Sequence, residues 1–262
     1  MELMGQESLV NSIKEKIHTK TFPRVSLIIG ESGSGKHTLS KMIAEEIGLS
    51  LQDITDRINY DFFMQLYGSA IGYVYIVDMN NISQSKQQCL LKFIEEPPNN
   101  SYVLLISDNK ESIIETIINR SFVVRMNTYT REQLKDMMKC EDSVLDFCTT
   151  PGQILLYKNQ DINGMKDLSE KIIDKVSLAN YSNVLKISSF FNWSKEKNLF
   201  DIDVFSFVFL QVCYTRFMES GDKFSFYCYE CANTLKKKLS VNAINKRHAF
   251  ENMLFQLKGW NE

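Results

Sequence analysis

Residues 30–38, with the sequence GESGSGKHT, constrain the fold of this chain more than any other stretch. They follow the apolar run Val25 to Ile29 and lead into an amphipathic segment, which predicts a strand, a glycine-rich loop and a helix. The loop matches the phosphate-binding pattern G-x-x-x-x-G-K-[ST] at every fixed position but the last. Glycines let backbone N–H groups surround phosphate oxygens, while the helix N-terminus and the lysine favour negative charge. The nucleotide-binding residues predicted from this pattern are Gly30, Ser32, Gly33, Ser34, Gly35, Lys36, His37 and Thr38.

The last position of the pattern holds His37 instead of a serine or threonine. The hydroxyl normally found there binds Mg²⁺, which takes hard oxygen ligands in octahedral geometry, whereas imidazole suits softer metals. Thr38 carries a hydroxyl but follows one residue later, so on a helix it points about 100° away. Mg²⁺ binding is therefore disfavoured, and the loop is compatible with holding nucleotide without hydrolysing it.

The first 125 residues alternate between strand and helix patterns. Residues 73–78 and 102–107 are continuous β-branched and aromatic runs, which are typical of strands buried on both faces of a parallel sheet. Shorter runs at 51–54 and 122–124 predict further strands, and helical spacing occurs at 57–70, 83–96 and 111–119. The alternation predicts an α/β P-loop NTPase domain with a parallel sheet.

From Thr130 onward the pattern is helical only. Thr130 and Gln133 have capping-box spacing, and a break at residues 149–152 precedes a short helix that begins at Pro151, where proline is favoured. Further helices are predicted over 165–178, 181–191, 202–218, 224–238 and 242–258. We therefore predict an α/β domain over 1–127, a small helical lid domain over 128–180 and an all-α domain over 181–262.

Composition excludes several classes of protein. At 262 residues the chain is long enough for two or three domains, and a net charge of −2 argues against a uniformly basic nucleic-acid binder. Residues 221–262 carry seven basic and four acidic side chains, including Lys236, Lys237 and Lys238. That excess is compatible with a solvated helix face or with a weak contact to DNA phosphates.

The cysteines and the N-terminal residues predict a cytoplasmic location. The six cysteines are dispersed, residues 1–20 are charged throughout, and the apolar run 204–214 is shorter than the roughly 20 residues that span a membrane. We therefore expect no membrane association. Cys228 and Cys231 have the spacing of a zinc or redox pair, but no second ligand pair exists, so buried or half-buried free thiols are predicted.

Four segments, taken in order, resemble the AAA+ clamp-loader subunits of bacterial DNA polymerase III, and the delta-prime members of that family most closely. Residues 4–6 resemble the family's entry motif beside the adenine, and residues 30–38 its phosphate loop. Residues 75–98, YIVDMNNISQSKQQCLLKFIEEPP, resemble the Walker B strand followed by the family's LLK and EEPP signatures. Residues 104–121 resemble the sensor-1 strand, its helix and the Ser-Arg-Cys motif. The resemblance implies an AAA+ fold with a helical lid and a collar-like C-terminal domain.

The sequence departs from the family members that hydrolyse ATP. They carry an acidic residue after the Walker B aspartate to activate water, whereas Met79 follows Asp78 here. Their lid arginine aligns with Gly152, which has no side chain to contact a phosphate, and the family's zinc-binding cysteines are absent from residues 57–72. Phosphoryl transfer depends on positioning and charge stabilisation, so these losses predict no hydrolysis by this chain. Asp78 fits either a water-mediated Mg²⁺ contact or a strand-end carboxylate left from an ancestor.

Arg120 is retained within Asn119-Arg120-Ser121, the counterpart of the Ser-Arg-Cys motif. In clamp loaders the corresponding arginine reaches the ATP of the neighbouring subunit, so the resemblance implies a catalytic role for Arg120 in trans. A salt-bridged surface arginine is the alternative.

The resemblance implies a delta-prime-like subunit of a hetero-pentamer of AAA+ subunits that loads a sliding clamp on primed DNA. It leaves open whether ATP or ADP binds to this chain, disfavours Mg²⁺ and predicts no zinc. Two other functions stay open at this point, an active ATPase of the same fold and a small-molecule P-loop kinase. The kinase is disfavoured because no lid arginine cluster is visible and the helical half would have no role.

Overall fold

The computed structural model describes residues 3–80, 82–139, 142–145, 148–158, 160–176, 180–191, 200–239 and 245–260. The chain divides into two compact units. The first comprises Met1–Lys139 with Thr149–Gln153, and the second comprises Cys140–Cys148 with Ile154–Glu262. The predicted division into 1–127, 128–180 and 181–262 stays a prediction. Residues 149–153 belong with the first unit, although residues 140–148 of the second unit precede them in the chain.

The first unit is built on a parallel five-stranded sheet. Its strands are β1 (Val25–Ile29), β2 (Leu51–Asp53), β3 (Val74–Asp78), β4 (Tyr102–Ser107) and β5 (Phe122–Arg125), and they lie in the order β2-β3-β4-β1-β5. Every residue of β1 is buried, because this strand lies between two neighbours and is covered on both faces. The parallel α/β sheet predicted from the apolar runs is confirmed.

Helices cover both faces of this sheet. The helices of this unit are α1 (Glu7–His18), α2 (Lys36–Ile47), α3 (Tyr60–Tyr67), α4 (Gln84–Glu95), α5 (Glu115–Ile118) and α6 (Arg131–Met138), with a 3-10 helix at Thr55–Arg57, and α1 to α5 pack on the sheet. The predicted capping box of α6 is present, because the Thr130 hydroxyl accepts from the Gln133 N–H and the Gln133 side chain accepts from the Thr130 N–H.

Two predicted helices are shorter in the structure than the sequence suggested. The helix predicted over 57–70 begins only at Tyr60, because the Asn59 side chain accepts from the Phe62 N–H and caps the first turn of α3. The helix predicted over 111–119 is reduced to α5. Its expected first turn is instead a loop, in which the Asn109 side chain accepts from the Ser112 N–H.

Successive strand residues point into two separate apolar layers. Val103 and Leu105 of β4 pack with α3, α4 and α5, whereas Leu104 and Ile106 pack with α1 and α2. The helix that follows β1 and the helix that follows β4 therefore cover opposite faces, although these strands are neighbours. Ligand crevices of open α/β sheets form at such a switch point, beside the carboxyl ends of the strands.

The second unit is helical throughout the residues described. Its helices are α7 (Asp142–Leu145), α8 (Pro151–Tyr157, whose first turn lies in the first unit), α9 (Ile162–Lys175), α10 (Tyr181–Ile187), α11 (Ile202–Ser220), α12 (Lys223–Leu239) and α13 (Lys246–Lys258). A 3-10 helix at Ser188–Phe190 follows α10 directly. The predicted end of one helix at Leu178 and the predicted start of another at Asn242 lie outside the described residues.

Aromatic rings form the centre of this helical unit. The Phe191 ring lies 4.7 Å from that of Phe205 and 4.5 Å from that of Phe250, both in edge-to-face geometry, and the Phe205 and Phe209 rings stack. The consecutive residues Val204, Phe205 and Ser206 are all buried, so α11 is covered on more than one side. No helix within the described ranges combines the length and the apolar character needed to cross a bilayer.

Candidate functional site

The phosphate loop follows β1 and ends at Gly35, the N-cap residue of α2. Every carbonyl group from residue 30 to residue 34 accepts a hydrogen bond from elsewhere in the first unit. The pairs are Gly30 and Glu31 with Lys36, Ser32 with Thr150, Gly33 with Gly152, and Ser34 with Tyr129. The carbonyls of residues 32–34 bond to partners outside the loop. Because the carbonyl and N–H of a trans peptide unit point in opposite directions, the N–H groups of Gly33 and Gly35 face away from those partners.

Lys36 is buried at the base of this loop, with 6% of the residue exposed. Its ammonium group donates to the carbonyl oxygens of Gly30 at 2.7 Å and Glu31 at 2.9 Å. The third acceptor is the carboxylate of Asp108, at 2.8 Å. All three protons of the ammonium group therefore have acceptors within the chain.

Asp108 is a site residue that the sequence analysis missed. It directly follows β4, the strand adjacent to β1, so the topology brings its carboxylate to the phosphate loop. The Asn80 side chain accepts from the Asp108 N–H at 2.7 Å and holds this turn. A carboxylate immediately after a buried strand was the available signal, but only the strand order shows which loop it faces.

Residues 149–153 form a cap on the phosphate loop. Thr150 Oγ1 donates to the Ser32 carbonyl at 2.8 Å, the Gly152 N–H donates to the Gly33 carbonyl at 3.0 Å, and Thr149 Oγ1 donates to the Glu31 carboxylate. Thr150 is buried, although its neighbour Thr149 is exposed.

The cap depends on the absence of side chains at two glycines. A Cβ built on Gly152 would lie 2.4 Å from Gly33 Cα, closer than real Cβ atoms approach any heavy atom. Gly33 itself has a φ of +80°, and a Cβ built on it would lie 2.8 Å from both Gly152 Cα and Thr150 Oγ1. This backbone contact therefore requires glycine at position 152. An arginine side chain, as in the lid of the ATP-hydrolysing family members, could not be accommodated there.

The remaining nucleotide-binding residues predicted from the sequence occupy the same edge of the sheet. His37 is exposed on the first turn of α2, and Thr38 is half-buried. Asp78 ends β3, two strands away from β1, and its carboxylate accepts from the Asn80 N–H. Met79 is 1% exposed and packs in the apolar layer beneath α3, α4 and α5, so its side chain faces the core.

These residues do not fit a Mg²⁺–nucleotide complex as they are arranged. Lys36 is paired with Asp108, position 37 offers no hydroxyl, and Met79 offers no carboxylate to activate water. The cavity beside the loop measures about 140 Å³, and its lining includes Tyr129. That volume is below the roughly 300 Å³ at the lower end of small-molecule sites.

The loop nevertheless keeps hydrogen-bond donors without acceptors. In the part of the chain that the structure describes, the N–H groups of residues 31–33 and 35–38 have no hydrogen-bond acceptor. The Ser34 hydroxyl lines the cavity, is buried and has no partner there either. Most donors of the anion cradle are therefore available, whereas its lysine is paired and the Ser34 N–H donates to the Glu31 carbonyl.

The entry segment is fixed to the chain just beyond β5. The Gln6 side chain is fully buried and exchanges two hydrogen bonds with the backbone of Asn127, each 2.8 Å long. Tyr129 lies next to Gly5, and burial raises the pKa of its phenol. Gln6 thus stabilises the wall of the cavity and does not point its amide into it.

Arg120 lies just beyond α5 and is exposed. Its Nε forms an ion pair with Glu95 Oε1 at 2.7 Å, and its Nη1 donates to the Thr116 carbonyl at 3.2 Å. Glu95 is the last residue of α4 and the first glutamate of the EEPP sequence. The guanidinium therefore has a fixed direction and further N–H groups that these two contacts do not use.

Other candidates from the sequence are structural. Cys228 and Cys231 are buried free thiols on α12, as predicted, and burial raises the pKa of Cys228 to about 12. Within the described ranges, no group of three or more histidine, cysteine or acidic side chains is arranged to hold a metal ion. Among the basic residues near the C-terminus, Lys246 pairs with Asp203 and Arg247 with Glu251.

The parallel sheet, with a phosphate loop after its interior strand β1, defines the first unit as an α/β unit of the P-loop NTPase type. Residues 49–130 match a family model described as DNA polymerase III, delta subunit. DNA polymerase III subunit delta' of Haemophilus influenzae is 26% identical over 150 residues, which span 54% of this chain and 45% of that protein. The matched part thus covers less than half the length of this curated relative.

Solved structures show the same fold. A DNA polymerase III gamma subunit-related protein of Thermotoga maritima is 16% identical with a TM-score of 0.52, over 95% of this chain and 98% of that chain. A variant of RuvB from the same organism has a TM-score of 0.50 at 16% identity, over 97% of this chain and 88% of that chain. The family model and the curated relative confirm the resemblance to delta-prime-type subunits of DNA polymerase III, and the solved structures share the fold of this chain.

Proposed function

We propose that this chain is a delta-prime-like subunit of a replicative clamp loader, which supplies Arg120 to the ATP site of a neighbouring AAA+ subunit. The observation that carries the proposal is the match of residues 49–130 to the DNA polymerase III delta family, since this segment contains both Arg120 and its partner Glu95. In such a complex the chain would act in the cytoplasm, within a hetero-pentamer that places a sliding clamp on primed DNA. The helical second unit would join the collar of the pentamer.

The arrangement of the first unit supports a subunit without hydrolytic activity of its own. Phosphoryl transfer needs a metal ligand, a group that orients water and cations on the transferred phosphate. His37 provides no hydroxyl as a metal ligand, and Met79 provides no carboxylate to orient water. The cation of the loop, Lys36, is already paired with Asp108. An active ATPase of the same fold is therefore disfavoured, and measurable hydrolysis by the isolated chain would contradict the proposal.

The setting of Arg120 supports action in trans. An arginine finger stabilises charge on the transferred phosphoryl group through N–H groups of a planar fork. Glu95 holds one side of that fork and the Thr116 carbonyl accepts from Nη1, which leaves Nη2 for an acceptor on another subunit. The side chain of Arg120 is 43% exposed, as this role requires.

The test is the ATPase rate of a reconstituted loader that contains the Arg120→Ala variant. Loss of a trans arginine finger lowers turnover by about 10³-fold or more. Arg120→Lys keeps the charge without the planar fork and should recover little of the rate. Arg125→Ala is the matched control, because Arg125 is an exposed arginine at the end of β5 in the same unit. Unchanged turnover with Arg120→Ala, or equal losses with Arg125→Ala, would refute the role of Arg120.

A further inference from the structure

The ion pair between Lys36 and Asp108 places a carboxylate against the lysine that would otherwise neutralise phosphate. The two groups are 2.8 Å apart, and Lys36 is 6% exposed. A buried ammonium group is costly unless an anion compensates its charge. In a loop occupied by nucleotide that anion is a phosphate, whereas here it is part of the protein.

We propose that Asp108 is a built-in counter-anion for Lys36, which keeps nucleotide phosphates out of this loop. A phosphate at Lys36 would lie within a few ångströms of the Asp108 carboxylate, and like charges at that distance repel strongly in a partly buried site. The proposal concerns the phosphate site of this chain alone, so it stands or falls separately from the role of Arg120 in a neighbour's site.

In this proposal Asp108 weakens phosphate binding, and the rest of the loop keeps the donors that an anion would use. Within the described residues the N–H groups of residues 31–33 and 35–38 have no acceptor, so they are available to an anion. Asp108 therefore occupies Lys36, which is the charged donor of the loop, and leaves the backbone donors available.

The ion pair is also open to exchange. The Asp108 side chain is 40% exposed, so its carboxylate has solvent on one side and is not enclosed with Lys36. Phosphate entry would require the carboxylate to turn toward solvent, away from the lysine. Removal of the carboxylate charge should accordingly release Lys36 for phosphate without rebuilding the loop.

The experiment is isothermal titration of the isolated full-length chain with ADP and, separately, with inorganic pyrophosphate. Pyrophosphate tests the phosphate cradle alone, because it needs no room for a base in the cavity of about 140 Å³. Asp108→Asn keeps the size of the side chain and the Asn80 contact, which is made by the backbone. We expect it to bind pyrophosphate at least about tenfold more tightly than the wild type does.

The matched control is Glu111→Gln, which removes the same charge from an exposed position three residues along the same loop. It should leave the dissociation constant unchanged. The double variant Asp108→Asn with Lys36→Met should lose the gain, because the gain acts through Lys36.

Asp108→Ser provides a second neutral variant, and the thermal melting of each variant identifies any that fails to fold. The proposal is overturned if the wild type binds pyrophosphate as tightly as the folded Asp108 variants do. It is equally overturned if Glu111→Gln gives the same gain, or if the gain survives the loss of Lys36. A gain with pyrophosphate but not with ADP supports the role of Asp108 and shows that the small cavity excludes the base.

Discussion

Replacing Gly152 by alanine tests the close packing between the phosphate loop and residues 149–153. The new Cβ would meet Gly33 Cα at 2.4 Å and the Gly33 carbonyl oxygen at 2.9 Å. Both atoms belong to backbone, so no side-chain rotation relieves the contact. The two segments must separate, and the bond from the Gly152 N–H to the Gly33 carbonyl is then stretched or broken.

The expected loss of stability follows from three contributions. Overpacking a tight contact costs about 1–3 kcal/mol. Loss of the backbone hydrogen bond costs about 0.5–1.5 kcal/mol, and the higher helix propensity of alanine at the start of α8 returns at most about 1 kcal/mol. We therefore expect Gly152→Ala to destabilise the first unit by about 2 kcal/mol.

Urea unfolding followed by circular dichroism measures this loss, and hydrogen exchange of peptides covering residues 149–158 localises it. A loss of about 2 kcal/mol corresponds to roughly 30-fold faster exchange where local opening limits the rate. The matched control is Gly68→Ala, because Gly68 has ordinary right-handed dihedral angles and the nearest atom to its Cβ position is 3.6 Å away. If the two variants differ by less than about 0.5 kcal/mol, the argument that Gly152 is required by backbone packing is wrong.

Two further predictions concern the finger arginine and the helical unit. Glu95→Gln should lower the ATPase rate of an assembled loader by about tenfold, because it weakens the ion pair that orients Arg120. The adjacent Glu96→Gln is the control and should leave the rate unchanged. Equal ATPase rates for the two variants would contradict this prediction. Asp222 accepts from the Ser220 hydroxyl and from the Ser225 hydroxyl and N–H at the start of α12, and these hydrogen bonds lower the pKa of its carboxyl group. The stabilisation of the folded state by the Asp222 carboxylate is fully present above the unfolded pKa of about 3.9. It is lost as pH falls through the lower pKa that Asp222 has in the folded state. Asp222→Ala should thus cost about 1 kcal/mol at pH 7, measured by urea unfolding, and the difference should shrink below about pH 4; a constant difference down to pH 2 would contradict this.

The contact at Gly152 changes the meaning of its departure from the clamp-loader pattern. From the sequence, glycine at this position meant only that a lid cation was missing. In the structure, any side chain there would separate residues 149–153 from the phosphate loop. The same residue, Gly152, therefore accounts both for the missing arginine side chain and for the close contact between residues 149–153 and the phosphate loop.

Much of the fold could be predicted from local patterns. The apolar runs identified the strands of the sheet, and the Thr130–Gln133 spacing identified the capping box of α6, because side-chain periodicity and capping act over a few residues. Predicted helix ends were less accurate at α3 and α5, where asparagine side chains bonded the backbone and delayed the helix. The phosphate loop was recognisable for the same local reason, since glycine positions and one lysine define it.

What the tertiary structure decided is the chemistry of that loop. Lys36 and Asp108 are 72 residues apart, and Thr150 and Ser32 are 118 apart. Neither pairing can be assigned from the sequence, because the first depends on β4 lying next to β1 and the second on a distant segment returning to the loop. By itself, the sequence determined a strand, a phosphate loop and a helix. Only the packed sheet and the cap determined that the lysine of that loop has its anion within the chain.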